Sequence, residues 1–220
     1  MSPRLVIAGT DTDVGKTVVS ALVTLGLEAR YWKPVQCGLD ADTGEGDRER
    51  VGRLAGLAPP RLLPEAYRLR APVSPHWAAE QEGGEIEDQR LELPPGDGPL
   101  VVETAGGLLV PLRRDRLQID QMVAWGLPVL LVARSGLGTL NHTLLSLEAL
   151  ASRDLRVLGL VLNGPPHPDN PRTLEQLGRV PVLLQLPPLA VLNGAALRRH
   201  WHNSALARSL RSSGEADAET

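Results

Sequence analysis

Residues 9–17 read GTDTDVGKT and lead straight into an apolar segment with helical spacing. These residue types do phosphate chemistry for a physical reason. Glycines let backbone N–H groups wrap an anion, the following helix points its positive end at it, and Lys and Thr add a cation and a metal-ligating hydroxyl. Gly15 is the close-approach glycine, Lys16 can reach the outer phosphates, and Thr17 can hold Mg²⁺, with Gly9, Thr10, Asp13, Val14 and Val18 completing the cradle. The usual form sets four residues between the first glycine and Gly-Lys-Ser/Thr. Here five residues separate Gly9 from Gly15 and the strict spacing starts at Thr10, which implies a variant loop. Asp11 and Asp13 are the odd feature, because carboxylates beside a triphosphate repel it unless they turn away or meet a cation. Asp13 is read as turn and helix-start chemistry, and Asp11 stays open between a turn role and contact with a metal or cationic substrate.

A phosphoryl-transfer site also needs carboxylates for its metal. Glu103 ends the apolar run PLVVE and is followed by TAGG, so it has a placement reason; Asp47, after the small-residue turn TGEG, reads equally as ligand or surface carboxylate. Lys33, in YWKPVQCG after an expected second strand, is either a solvated surface group or a second cation at the site.

These residues must be carried by something. Continuous apolar runs at 5–9, 99–103, 128–134, 156–163 and 180–186 suit strands buried on both faces, and the stretches 16–29, 47–57, 120–126 and 141–152 read as helices between them. Alternating strand and helix predicts an α/β fold of the P-loop type, a doubly wound, mostly parallel sheet with helices on both faces. Ligands then sit at the carboxyl ends of the strands, where 10–17, 103–107, 135–139 and 163–165 should gather. The Pro-rich residues 58–98 read as a long excursion over the domain, without a second core. Residues 1–210 are expected to form one domain and 211–220 a disordered polar tail.

With 220 residues, 42% of them hydrophobic, the chain can bury a full core. A formal net charge of -3 with no basic run disfavours a nucleic-acid partner. The single Cys37 cannot form an internal disulfide, and the start of the chain lacks a secretory pattern, so a cytoplasmic setting is expected. No apolar run approaches the roughly 20 residues that span a bilayer, and no membrane partner is expected.

Taken in order, GTDTDVGKT, KPVQCG, APVSPH, VETAGG, LGTLNH and LVLNG resemble the dethiobiotin synthetase family, from about residue 5 to residue 163 and on to QLPPL. The resemblance implies an ATP-dependent carboligase that converts 7,8-diaminononanoate and carbon dioxide, or bicarbonate, into dethiobiotin, with Mg²⁺ as cofactor and a homodimer as its working form. By motif, Thr12, Lys16 and Lys33 would act on the diamine, its carbamate or the transferred phosphate, and Thr17, Asp47 and Glu103 would hold the metal. Asn163 would read adenine, helped by backbone near Pro187, Pro188 and Leu189. Cys37, Glu103, Gly106 and Gly107 would line the substrate, while Leu140 and Asn141, leading to His142, would meet its carboxylate tail from the other subunit. Two positions depart from the family: Cys37 stands where Ser is common, which puts its substrate contact in doubt, and Thr104 stands where Gly is common, so the Glu103 loop is expected to shift slightly. His76 fits the pattern and is expected to make a structural hydrogen bond. Two other readings remain: a cobyrinic acid amide synthetase-like ligase, which normally carries a further glutaminase domain that this length leaves no room for, and a nucleotide switch of the partitioning-ATPase type, against which the loop lacks an extra lysine ahead of its glycines.

Overall fold

The computed structural model describes residues 2–216. In chain order the strands are β1 (Arg4–Gly9), β2 (Arg30–Trp32), β3 (Val35–Cys37), β4 (Tyr67–Leu69), β5 (Leu100–Gly107), β6 (Pro111–Arg113), β7 (Arg116–Leu117), β8 (Val129–Arg134), β9 (Val157–Asn163) and β10 (Val182–Leu186). The helices are α1 (Lys16–Gly26), α2 (Asp47–Ala55), α3 (Pro75–Gln81), α4 (Gln118–Trp125), α5 (Thr139–Ala151), α6 (Asn170–Gly178), α7 (Gly194–His202) and α8 (Ala205–Ala216).

Six strands form one parallel sheet in the order β10-β9-β8-β1-β5-β2. Their runs of Val, Leu and Ile are continuous because both faces are covered. On one face α1, α2, α7 and α8 pack on Leu5, Ile7, Val101, Val132 and Val161; on the other, α4, α5 and α6 pack on Val6, Ala8, Val102, Leu131 and Leu162. The P-loop α/β expectation holds. β1 lies centrally, flanked by β8 and β5, so the chain leaves it first towards one edge of the sheet and later towards the other. Such a reversal opens a crevice at the strand ends, and the loop 10–15 sits there.

Three expectations change. Residues 58–98 do have a small core of their own: β4 pairs in parallel with β3, and Tyr67, Leu69, Ala78, Ala79, Ile86 and Leu91 are buried together with Val35 and Leu112. Spaced too irregularly to scan as one element, these apolar residues find each other only after the chain folds back. The strand expected to end at Glu103 continues to Gly107, with its register against β1 slipping between Ile7 and Gly9 so that Gly9 faces Gly107. Finally, α8 runs to Ala216, into the segment expected to be a disordered tail from 211; residues 217–220 lie outside the described residues. Helices α3, α6, α7 and α8 were not expected from the sequence.

Candidate active site

The loop after β1 is held open by glycine at two places. Gly15 has φ 99°, and a Cβ there would lie 2.1 Å from Nδ2 of Asn163. At Gly9 a Cβ would lie 2.9 Å from both the Asp11 carbonyl oxygen and Lys16 Nζ. Lys16 therefore folds back over Gly9, donating from Nζ to the Asp11 carbonyl at 2.8 Å. That crossing explains the shifted spacing: the first glycine gives room to the lysine, while Thr10 ties the loop to the sheet by donating its N–H to the Val132 carbonyl at 3.0 Å. The first turn of α1 has neither a capping side chain nor an acidic residue, so its N–H groups are free for an anion.

Of the two odd aspartates, Asp13 borders the site cleft and Asp11 does not. Asp13 sits in the left-handed region at φ 57°. Asp11 accepts from the Thr12 N–H at 2.7 Å, and its other oxygen lies 3.7 Å from Arg134, whose guanidinium also donates to the Thr12 carbonyl at 3.0 Å. Both are loop-shaping residues in this geometry.

Four separate segments converge beneath the loop. Lys33, immediately after β2, is 5% exposed; its ammonium contacts Asp47 and lies 3.0 Å from Glu103 Oε1. The Thr17 hydroxyl stands 2.9 Å from Asp47 Oδ1 and 3.1 Å from Glu103 Oε1. Glu103 is wholly buried, and its second oxygen accepts from the Tyr31 phenol at 2.9 Å. Asp47 opens α2, where its own N–H donates to Gln36 Oε1 at 3.0 Å and the preceding Gly46 N–H donates to Glu49 at 2.8 Å. The sequence left Lys33 and Asp47 open; the fold puts both at the site.

The electrostatics follow from this packing. Burial opposes the charge on Lys33, yet Glu103 and Asp47 outweigh it and hold the ammonium above the usual lysine range. Burial would raise the Asp47 carboxyl, but Lys33 beside it keeps it below the usual range. Lys16 behaves oppositely: burial brings it down to about 8 against the pull of Glu103, with Lys33 adding to the fall. Burial first, then Glu103, drives Tyr31 well above the ordinary phenol range, so it stays a donor. Two ammonium groups thus face two carboxylates, which oppose the like-charge repulsion between the lysines.

These groups floor a cleft of about 790 Å³. Thr12, Asp13, Gly15, Lys16, Thr17, Val18, Lys33, Cys37, Asp47, Glu103, Gly106 and Asn163 all line it, as the sequence suggested. The opposite wall is Pro72–Pro75, and Gln36, Arg50, Ala105 and Val110 complete the lining. Neither Gln36, Arg50 nor Tyr31 stood out in the sequence; the nearest signal was the position of Gln36 and Tyr31 within YWKPVQCG.

Other expected residues stand elsewhere. Val14 is buried in the core below the loop, and its carbonyl accepts from Asn163 Nδ2 at 3.1 Å, so the amide nitrogen of the expected adenine reader braces the loop. Pro187, Pro188 and Leu189 follow β10 and do not line this cleft, and Leu189 packs on the α1-side core. Gly107 is covered by the loop, with a Cβ there meeting the Thr10 carbonyl oxygen at 3.4 Å. Leu140, in the first turn of α5, packs on the core of that face and Asn141 is exposed, neither lining this cleft. Thr104 points inward and donates to the Ile7 carbonyl at 3.4 Å, away from the cleft. Cys37 faces it, with its thiol pushed up to about 11 by burial. Among the described residues none gives the buried His76 Nδ1 a hydrogen-bond partner, contrary to the structural bond expected.

Among the described residues no group of three or more His, Cys, Asp or Glu residues converges as a metal cage. The oxygens of Thr17, Asp47 and Glu103 could still take a hard cation together with a ligand's own oxygens, because the Thr17 hydroxyl stands 2.9 Å and 3.1 Å from the two carboxylates, close to the roughly 2.9 Å between adjacent oxygens around an ion bound at about 2.1 Å. No helix among the described residues is long and apolar enough to cross a membrane.

A family model described as an AAA domain matches residues 3–196. The ATP-dependent dethiobiotin synthetase of Rhodopseudomonas palustris (strain BisA53) is 51% identical over 198 residues, covering 90% of this chain and 92% of that protein. That of Nitrobacter hamburgensis is also 51% identical over the same shares. Among solved structures, the septum site-determining protein MinD of Pyrococcus horikoshii, complexed with Mg-ADP, superposes with a TM-score of 0.57 at 13% identity over 96% of this chain and 93% of that one, a likeness of fold. With half its residues shared with these relatives along nine-tenths of its length, and a phosphate loop, two lysines and two carboxylates gathered at one crevice, the chain belongs to the ATP-dependent dethiobiotin synthetase family.

Proposed function

We propose that this ATP-dependent ligase of biotin biosynthesis uses the cleft to join carbon dioxide to 7,8-diaminononanoate and close the product ring. The observation that carries the assignment of residues is the meeting of Thr17, Lys33, Asp47 and Glu103 under the phosphate loop. One amine, deprotonated, adds to carbon dioxide and gives a carbamate. A carbamate oxygen attacks the γ-phosphorus of ATP, and the bond to the ADP oxygen breaks. The second amine then attacks the carbonyl carbon of the mixed anhydride, loses its proton and expels phosphate, leaving the cyclic urea.

Gly9 to Val18 wrap the nucleotide phosphates through backbone N–H groups and Lys16. Lys33 and Thr12 face the transferring phosphoryl group and the carbamate, so the site works by positioning and by charge stabilisation. Asn163 presents its remaining oxygen to the adenine amino group, with the backbone at Pro187–Leu189 beside it. Cys37 and Gly106 bound the diamine. Thr17, Asp47 and Glu103 would hold Mg²⁺, whose chemistry there is to neutralise charge on the phosphate oxygens. Two carboxylates and a hydroxyl suit Mg²⁺, which keeps waters and phosphate oxygens as its other ligands.

The working form is a cytoplasmic homodimer with neither nucleic acid nor membrane as partner. In support of the dimer, α5 and α6 pack together and leave Leu137, Leu145 and Leu177 exposed, beside Leu140 and Asn141, which would serve the partner's site.

The test is to incubate the protein with Mg-ATP, bicarbonate and 7,8-diaminononanoate, omitting each in turn. Phosphate release that needs both diamine and bicarbonate, together with the mass of dethiobiotin, is the expected result; release indifferent to the diamine would overturn the reading. Lys33→Ala should lower turnover with little change in ATP affinity, and the reverse pattern would remove Lys33 from the chemistry.

A further inference from the structure

Glu103 has two carboxylate oxygens in different company. Oε1 lies 3.1 Å from the Thr17 hydroxyl and 3.0 Å from Lys33 Nζ, on the cleft side. Oε2 lies 2.9 Å from the Tyr31 phenol oxygen. Both side chains are wholly buried, and Tyr31 belongs to the α1-side core, anchored in β2 opposite Val101, two residues before Glu103 on β5. A carboxylate accepts only, so the phenol is the donor.

We propose that Tyr31 is a positioning residue that pins Glu103 Oε2 in the core and so fixes Glu103 as a one-oxygen ligand of the catalytic cation. This rests on the reading of Thr17, Asp47 and Glu103 as the metal-holding set. The physical argument has two parts. A buried carboxylate oxygen without a donor is costly, so Tyr31 makes the inward orientation of Oε2 the stable one. With Oε2 so held, only Oε1 can turn to the cleft, and monodentate carboxylates suit the compact octahedron of Mg²⁺ or Mn²⁺, while bidentate ones suit the larger Ca²⁺. Ligand-orienting hydrogen bonds of this kind commonly set metal affinity.

Tyr31→Phe keeps the ring and its volume and removes only the hydroxyl. The experiment measures Mn²⁺ binding to the full chain in the presence of ADP, by electron paramagnetic resonance, for wild type, Tyr31→Phe, Glu103→Gln and the double variant, with thermal unfolding to confirm that each is folded. Expected for Tyr31→Phe is a loss of about 10- to 100-fold in Mn²⁺ affinity, a smaller loss for Ca²⁺ measured by competition, and ADP affinity without metal unchanged. In the Glu103→Gln background the tyrosine substitution should add nothing. Wild-type Mn²⁺ affinity in Tyr31→Phe, with Glu103→Gln weakened, would overturn the role of Tyr31 alone. Full Mn²⁺ affinity in Glu103→Gln would overturn the metal assignment and this inference with it. Equal losses for Mn²⁺ and Ca²⁺ would overturn the one-oxygen argument, since general loosening does not discriminate between ions.

Discussion

On one side of the cleft the charged groups are carried by β5, by the segments that follow β1 and β2, and by the start of α2, around a parallel sheet covered on both faces. On the other, Pro72–Pro75 ride on a two-stranded ribbon and one short helix over a small cluster around Ile86 and Leu91. The first wall holds its residues by backbone register: Gly9 opposite Gly107, and Ile7 opposite Glu103. The second is held by a modest core and by ion pairs such as Arg68 with Glu49 and Glu65. Partly exposed pairs of that kind contribute little. The contrast separates a rigid wall that positions charge from a lighter one that shapes the space opposite it.

The largest effect should come from the rigid wall. Lys16→Ala should cut turnover by about 10²–10³-fold, as loss of a preorganised charge-stabilising group does. Because burial works against the charge on Lys16, thermal stability should not fall with it; a variant that loses both would show that the lysine is a structural strut.

In the lighter wall, Ile86→Ala should cost about 2–5 kcal/mol in urea unfolding. Hydrogen exchange should speed up in β3, β4 and α3, while β1 and β5 stay protected and ADP still binds. Uniform acceleration would mean that the two walls open as one unit.

A smaller loss is expected where neither wall is touched. A Cβ on Gly26 would lie 2.1 Å from the Trp201 ring, which is buried between α1 and α7. Gly26→Ala should cost about 1–3 kcal/mol through overpacking, with turnover of the folded fraction unchanged.

The mildest test concerns Cys37, on β3 where the walls meet. With its thiol near 11, the thiolate is scarce at neutral pH and increases tenfold per pH unit below that value. Alkylation by iodoacetamide at pH 8 should be about a hundredfold slower than for a free thiol and should climb towards pH 11. A fast reaction at pH 8 would place the ribbon in an open form.

Much of the first wall was legible in the sequence, because its parts are local. A strand, a glycine loop and Lys-Thr at a helix start are contiguous, and each has its own period or turn chemistry. Asp47 and Lys33 were ambiguous because an isolated charge looks alike on a surface and in a site. Only burial against Glu103 separates the two. The ribbon was misread as a coreless excursion because Val35, Tyr67, Ile86 and Leu112 are far apart in the chain and no window contains them.

Local backbone chemistry thus let the sequence determine the phosphate loop, the alternation of strands and helices, and the family by its ordered motifs. What only the tertiary structure decided is which lone polar residues share a space. Tyr31 points at Glu103, Gln36 receives the first N–H of α2, and Asn163, expected to read adenine, also braces the loop. Such pairs are made by register between neighbouring strands and by helix packing, long-range relations that leave no periodic mark in the chain.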